Sequence, residues 1–340
     1  MTDTAASERA LIVGAGPIGL ACAISASRRG LDALVIDAGA IAESIVRYPV
    51  GMTFFTTPER LEIGGHPLVC AGAKATREEA LKYYRGVVRA ERLRVRTGAR
   101  LVDATPGPQG VTCRVATRLG DETVGAERLV LATGYFDHPN HLDVPGESLP
   151  HVSHYFDEAH RSWGQDVVVI GGKNSAIEAA LQLFRAGARV TLVYRGKALS
   201  ASVKYWLKPD FENRVKAGEI TARYDAQVAE ITDREVVLGN GDRVRADRVY
   251  ALTGFHPDFD LLRRIGIAFD ELTGRPTLDA DTLETTVPGV HLAGSVTAGR
   301  KISEIFIENG RFDGEKIFGD AEARASAEER YAKVNRPTGE

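Results

Sequence analysis

Residues 10–37 read ALIVGAGPIGLACAISASRRGLDALVID. The apolar run Ala10–Val13 predicts a buried strand, broken by Gly14-Ala15-Gly16-Pro17-Ile18-Gly19. A helix of small residues follows as far as Gly30, and a second apolar run, Ala33–Ile36, ends on Asp37. Each glycine has a separate physical task. Gly14 allows the tight turn, Gly16 lets a pyrophosphate approach the backbone, and Gly19 lets the helix pack closely on the strand. The helix N-terminus then presents free N–H groups and a positive dipole end to phosphate. Asp37 can accept hydrogen bonds from an adenosine ribose, and its charge would repel a 2′-phosphate. The plainer alternative is a glycine-rich turn with no ligand. Two strands, a helix and an acid in the correct order favour a dinucleotide site.

The chain has 340 residues, 44% hydrophobic and 26% charged, enough for two domains that each bury a core. A net charge of −3 gives no reason to expect nucleic acid or an anionic membrane as partner. The three cysteines, Cys22, Cys70 and Cys113, are widely spaced with no CxxC. That argues against a disulfide framework or structural metal and fits a reduced, cytoplasmic setting. Residues 11–26 are apolar, but Asp3 and Glu8 stand where an export signal would be basic. Glycines also interrupt the run, so neither an export signal nor a membrane span is expected.

Residues 38–70 lack periodicity. Ser44 and Tyr48, followed by Thr53-Phe54-Phe55-Thr56-Thr57-Pro58, offer hydroxyls and aromatic faces that suit a flat, polar-edged ring. The competing reading places both phenylalanines in the core. Residues 77–92 have helical spacing, and residues 93–130 alternate like short antiparallel strands with turns at Pro106-Gly107-Pro108 and Gly120-Asp121. A buried strand, Leu129–Leu131, then runs into Ala132-Thr133-Gly134. Residues 135–165 read as a linker. His138/His141 and His151/His154 are HxxH pairs, but prolines inside or beside them favour a surface linker over a metal site, and no metal is expected.

The opening unit recurs. Val167–Ile170 predicts a strand, Gly171-Gly172-Lys173-Asn174-Ser175-Ala176 the turn, residues 175–186 a helix, and Arg189–Tyr194 the next strand. Leu252-Thr253-Gly254 repeats the ending seen at Ala132-Thr133-Gly134, and Gly239-Asn240-Gly241-Asp242 marks a hairpin. The fold class is therefore α/β, with two Rossmann-like dinucleotide-binding domains, the second inserted into the first. The expected boundaries are 1–140, 141–254 and 255–340. Tyr194 stands where the first unit has Asp37, and Arg195 follows it. With Lys197 or Lys204, Arg195 can bind a 2′-phosphate, which points to NADP; a solvated basic turn is the alternative. Lys173 departs from the expected glycine. Two dinucleotides imply that a nicotinamide passes hydride to a flavin. Near the C-terminus, Pro288–Ser295 predicts a strand returning to the first domain. Residues 302–310 predict a helix N-terminus that closes the flavin pocket. After Ala321 a charged helix is expected to run into a disordered Arg336–Glu340.

The order GAGPIG, LATG, GGKNSA, LTGFHPD, AGS and IFIENGRFDG resembles the thioredoxin-reductase-like flavoproteins, and among them the bacillithiol disulfide reductases of the YpdA type. The resemblance covers residues 10–318. It implies FAD in the outer unit, at Gly14, Gly16, Pro17, Ile18, Gly19 and Asp37, with Ser44, Tyr48 and Phe55. Thr133, Gly134, Gly294, Ser295 and Ile302 complete that set. It implies NADPH in the inner unit, at Gly171, Gly172, Lys173, Asn174, Ser175 and Ala176, with Arg195, Lys197 and Lys204. A homodimer or higher homo-oligomer is the assembly it implies. Thioredoxin reductases carry a CxxC before the second glycine motif, where this chain has HVSHYFDEAHRSW. The bacillithiol family often has a cysteine where Ile18 stands, and the wider class has Gly-Asp where this chain has Gly294-Ser295. Cys22, one helical turn beyond Ile18, is either a displaced nucleophile or an inert buried thiol. Three functions follow: reduction of a small disulfide, electron transfer to a ferredoxin- or flavodoxin-like protein, or a non-catalytic nucleotide-responsive protein.

Overall fold

The computed structural model describes residues 7–335. The expected disorder of Arg336–Glu340 lies outside the described residues. Contacts divide the chain into two units. One takes in the chain up to Val46, Gly51–His138 and the chain from Phe255; the other takes in Arg47–Val50 and Pro139–Gly254.

The first unit opens with β1 (Ser7–Val13), α1 (Pro17–Ser27) and β2 (Ala33–Asp37). Ala10, Leu11 and Ile12 are fully buried, as expected of a central parallel strand covered on both faces. Two short helices, α2 (Glu43–Val46) and α3 (Pro58–Leu61), punctuate the aperiodic stretch before α4 (Arg77–Ala90). A reciprocal cap between Thr76 and Glu79 starts α4, which buries Ala80, Tyr84 and Val87.

Next come β3 (Arg94–Thr97), β4 (Ala99–Gly107), β5 (Gly110–Thr117) and β6 (Gly120–Leu131). The expectation of antiparallel strands throughout 93–130 fails at β3, which pairs parallel with β2. A helical crossover separates the two, and that connection permits parallel pairing. The strand expected to begin at Leu129 is the end of β6, a single strand with two characters. Its first half pairs antiparallel with β5, and its second half pairs parallel with β1. The burial pattern changes with the pairing, from intermittent to continuous at Leu129–Leu131.

The second unit contains β7 (Val152–Ser153), β8 (Asp166–Ile170), α5 (Asn174–Arg185), β9 (Arg189–Val193), α6 (Lys208–Lys216) and β10 (Ile220–Arg223). It continues with β11 (Val228–Ile231), β12 (Glu235–Leu238), β13 (Arg243–Arg245) and β14 (Arg248–Ala251). Its parallel sheet has the order β10-β9-β8-β14-β7, and β11-β12-β13 form a separate antiparallel sheet. The segment read as a linker thus contributes a strand, β7, which pairs parallel with β14. Ala176, Ile177, Ala180 and Leu183 supply the buried face of α5.

The chain then returns through α7 (Phe259–Ile265) and β15 (Val290–Leu292), which pairs parallel with β6. Three helices follow: α8 (Ile307–Gly310), α9 (Asp313–Phe318) and α10 (Ala321–Asn335). Residues 302–310 are not one helix. Ile302–Glu304 form a 3₁₀ turn, Ile305 is extended, and only the single turn of α8 follows. Ile302, Ile305 and Ile307 are β-branched, which disfavours continuous helix there. The buried Asn309 side chain closes the break, accepting from the Phe306 N–H (2.8 Å) and donating to the Glu304 carbonyl (2.9 Å). Among the described residues no helix is long and apolar enough to cross a membrane.

Helix α9 lies hard against α1. A Cβ added at Gly314 would stand 2.8 Å from the Cys22 Cα and 2.9 Å from the Ser25 Cβ. Gly86, in α4, has nothing within 4 Å of the same construction. Gly314→Ala is therefore expected to cost about 1–3 kcal/mol through forced separation of the helices. Gly86→Ala should stabilise by about 0.4–1 kcal/mol through lost unfolded-state entropy. Urea unfolding of the two variants checks the opposite signs.

Candidate functional site

In the first unit, Gly16 is the N-cap of α1 in extended conformation, and no side chain caps the helix. The first turn contains no acidic residue. A Cβ at Gly16 would meet nothing within 4 Å, so the space before the helix N-terminus is open. Gly14 holds φ +112°, and a Cβ there would strike the Ala132 carbonyl oxygen at 2.3 Å. A Cβ at Gly19 would strike the Gly14 carbonyl oxygen at 1.9 Å. The first and third glycines thus allow close packing while the second leaves a cradle. The open, uncapped N-terminus fits an anionic pyrophosphate.

Asp37 has a second role that the sequence reading missed. Its Oδ2 accepts from the Ala15 N–H (2.7 Å) and its Oδ1 from the Gly39 N–H (2.7 Å). The carboxylate therefore braces the glycine turn, and each oxygen keeps a lone pair for a ribose hydroxyl. Burial raises its pKa, while the two N–H donors act in the opposite direction.

The Thr133-Gly134 and Gly294-Ser295 segments meet at the ends of β6 and β15. Gly134 has φ +68°, and the Ser295 Oγ lies 3.8 Å from where its Cβ would be. Ile18 is wedged between two other glycines: Cβ atoms built at Gly294 and Gly310 would stand 2.7 and 2.6 Å from the Ile18 Cδ1. Pro17 occupies the first position of α1, where a missing N–H costs nothing. Beneath this layer the buried Asp313 accepts the Gly294 N–H at 2.7 Å. Burial pushes the Asp313 carboxyl up to about 7. No local pattern marks Asp313 in the sequence, because its partner is a backbone amide 19 residues away.

The remaining outer-unit candidates divide. Phe54 is buried at 8% exposure, as the core reading expects, while Phe55 is 44% exposed. Ser44 is exposed on α2, and Ile302 lies half-buried in the 3₁₀ turn. Tyr48 belongs to the Arg47–Val50 segment, which groups with the second unit. There the Arg47 guanidinium lies over the Tyr155 ring, and the Val50 N–H donates to the Asp157 carbonyl.

In the second unit Gly171 (φ +147°) repeats the Gly14 constraint against the Leu252 carbonyl oxygen, 2.6 Å from a built Cβ. Lys173 is the extended N-cap of α5, again with no side-chain cap and no acid in the first turn. The Tyr194 ring lies within 2.5 Å of where Gly172 and Gly196 would carry a Cβ, so both glycines make room for it. Asn174 points elsewhere than expected. Its Nδ2 donates to the Ser202 carbonyl and its Oδ1 accepts from the Lys204 N–H (2.8 Å), tying the 200–204 loop to the helix start. Ser175 is exposed and Ala176 buried. Arg195, Lys197 and Lys204 are all exposed. Lys204 lies over the Trp206 ring at 5.7 Å, and Lys197 lines a surface pocket with Glu212, Lys216 and Tyr224.

Cys22 and Cys113 are buried and Cys70 partly exposed; all three are unpaired. Burial, with Asp313 and Glu315 nearby, pushes the Cys22 thiol far up, and burial alone pushes Cys113 to about 12. Neither is poised as a thiolate at neutral pH. The HxxH pairs are not used as pairs. His138 lies 3.6 Å from Asp258, whereas His141 and His154 both face Glu147.

The family model of the pyridine nucleotide-disulphide oxidoreductases matches residues 11–294. The chain belongs to that family. It is 45% identical to bacilliredoxin reductase Bdr of Bacillus subtilis over 91% of this chain and 96% of that one. The solved bacillithiol disulfide reductase Bdr (YpdA) of Bacillus cereus shares 42% identity with a TM-score of 0.89, covering 95% of this chain and 99% of that chain. A thioredoxin reductase of T. acidophilum, at 22% identity, shares the fold with a TM-score of 0.71 over 97% and 99% of the two chains. This chain is thus a flavin- and nicotinamide-dependent oxidoreductase of thioredoxin-reductase-like fold.

The buried Asp313 makes stability depend on pH with a definite sign. Its pKa of about 7 lies above the ordinary carboxyl value of 3.8, so the folded state binds the proton more tightly. The contribution is fully present below pH 4 and is lost as pH rises to about 7. Asp313→Asn, whose amide oxygen can still accept the Gly294 N–H, should be less pH-dependent between pH 4 and 7. Unfolding curves of both proteins across that range check the difference.

Proposed function

We propose that the protein uses NADPH and bound FAD to reduce a low-molecular-weight disulfide such as bacillithiol disulfide, in a reducing, cytoplasmic setting. The observation that carries this reading is the doubled open helix N-terminus, bordered by Asp37 in one unit and by Arg195, Lys197 and Lys204 in the other. Asp37 suits an unphosphorylated ribose, and the basic group suits a 2′-phosphate. Bound at these residues, FAD would supply hydride acceptance from a nicotinamide and onward electron delivery.

The side chains do the positioning. The α1 N–H groups and Gly16 hold the pyrophosphate, Asp37 fixes the ribose, and Gly134 with Ser295 borders the region farther along the cofactor. The α5 N-terminus and the loop anchored by Asn174 hold the second nucleotide. The chain supplies no CxxC, and Cys22 is packed beneath α9, so electrons pass directly to the acceptor without a protein sulfur. That same observation favours a second reading, transfer to a ferredoxin- or flavodoxin-like protein, which needs no cysteine.

Three outcomes are expected. Gly16→Val should fold normally, since its Cβ has open space, yet purify without flavin because the side chain occupies the phosphate position; flavin-replete Gly16→Val would refute the cradle. Arg195→Ala should raise KM for NADPH about two- to fivefold, the scale of an exposed charge pair, and leave NADH unchanged. An unaltered NADPH/NADH ratio would remove Arg195 from the site. With bacillithiol disulfide, bacilliredoxin and a ferredoxin as alternative acceptors, the small disulfide should support turnover, and Cys22→Ala should reduce it less than about tenfold. Turnover with the ferredoxin alone would establish the second reading. Selective loss of disulfide turnover in Cys22→Ala, with flavin reduction intact, would make that thiol the redox group.

A further inference from the structure

His141, Glu147 and His154 converge on one point of the Pro139–Gly254 unit. The His141 Nδ1 lies 3.3 Å from the Glu147 Oε1, and the His154 Nε2 lies 3.1 Å from the same oxygen. All the potential ligand atoms fall within 4.8 Å of one another. A tetrahedral ion with bonds of about 2.0–2.1 Å holds its ligands roughly 3.3 Å apart. Both measured edges lie close to that spacing. We propose that these three side chains form a binding site for a divalent transition metal of the zinc type.

The arrangement of protons supports the site independently of the spacing. The His154 Nδ1 faces the Ala251 carbonyl at 3.1 Å while its Nε2 faces the Glu147 carboxylate. A neutral imidazole has one proton for these two acceptors, so one nitrogen must meet an oxygen lone pair to lone pair. Either a second proton or a cation at Nε2 removes the conflict. The His154 side chain is only 13% exposed, so the Glu147 carboxylate and the Ala251 carbonyl are the groups its two ring nitrogens face. A metal at Nε2 needs the tautomer that the Ala251 carbonyl already selects.

The outer contacts are also those of a metal centre. The Leu142 and Asp143 N–H groups donate to the two Glu147 oxygens at 2.7 and 2.8 Å, fixing the carboxylate. Such carbonyl and amide contacts orient ligands and tune their basicity. His141 is 58% exposed and leaves the outer side open for water as a fourth ligand. Two imidazoles and one carboxylate suit zinc, nickel, cobalt or copper better than magnesium or calcium.

The test uses the untagged, flavin-loaded full-length protein, titrated with zinc chloride by calorimetry and with cobalt chloride by visible absorption. One ion per chain is expected, with cobalt d–d bands displaced by zinc. His141→Ala, a change at an exposed position, should weaken zinc binding at least about tenfold. Glu147→Gln should do the same, with circular dichroism and flavin content confirming its fold. His160→Ala and Cys70→Ser, at an exposed histidine and a partly exposed thiol, should leave binding unchanged. Absence of stoichiometric uptake would show the cluster to be a hydrogen-bond network alone and overturn the proposal. So would affinity that persists in His141→Ala or falls in Cys70→Ser.

Discussion

The first unit depends on how closely α1 approaches the strands around it. Gly14 and Gly19 remove the Cβ atoms that would hold the helix off the Ala132 carbonyl and off its own turn. The same closeness recurs along the helix, where Ile18 fills the space left by Gly294 and Gly310, and Gly314 meets Cys22. This contact line orients the α1 N–H groups toward the open space at Gly16. In the same layer the buried Asp313 carboxylate accepts the Gly294 N–H from the turn after β15. The electrostatic cost of burying that acid is part of holding the layer together.

The two glycine turns share one geometry and differ in what braces it. Both leave an extended N-cap, no capping side chain and no acid in the first helical turn. They differ at the end of the second strand of each unit. Asp37 accepts two backbone N–H groups and stiffens its own turn. Tyr194 instead lays its ring over Gly172 and Gly196, and the following loop carries the positive charges. The bracing that a carboxylate supplies in one unit comes from ring packing and from Asn174 in the other. A basic loop is thereby compatible with an equally tight turn.

What the sequence revealed, and what it concealed, follows from the range of the interactions. Strand, glycine turn, helix and strand were legible twice, because apolar periodicity and glycine spacing are local. The direction of β3 was not, since four residues do not specify whether a neighbour runs parallel or antiparallel. The continuity of β6 was hidden by its change from alternating to fully buried residues. Residues 302–310 looked helical until β-branched residues and the Asn309 side chain broke the run. Asp313, the diversion of Asn174, and the meeting of His141 with His154 at Glu147 all depend on distant partners. The HxxH spacing even misdirected, because the site takes one histidine from each pair.

Under the proposed function the chain moves electrons through bound flavin with no protein disulfide in the path. Anaerobic titration of the flavin-loaded protein with NADPH, followed at the flavin absorption band and by thiol quantification, tests it directly. One equivalent of NADPH per flavin should complete the reduction, and the number of titratable thiols should stay unchanged. Uptake of a second equivalent, with two new thiols appearing, would reveal a redox-active disulfide and contradict the account.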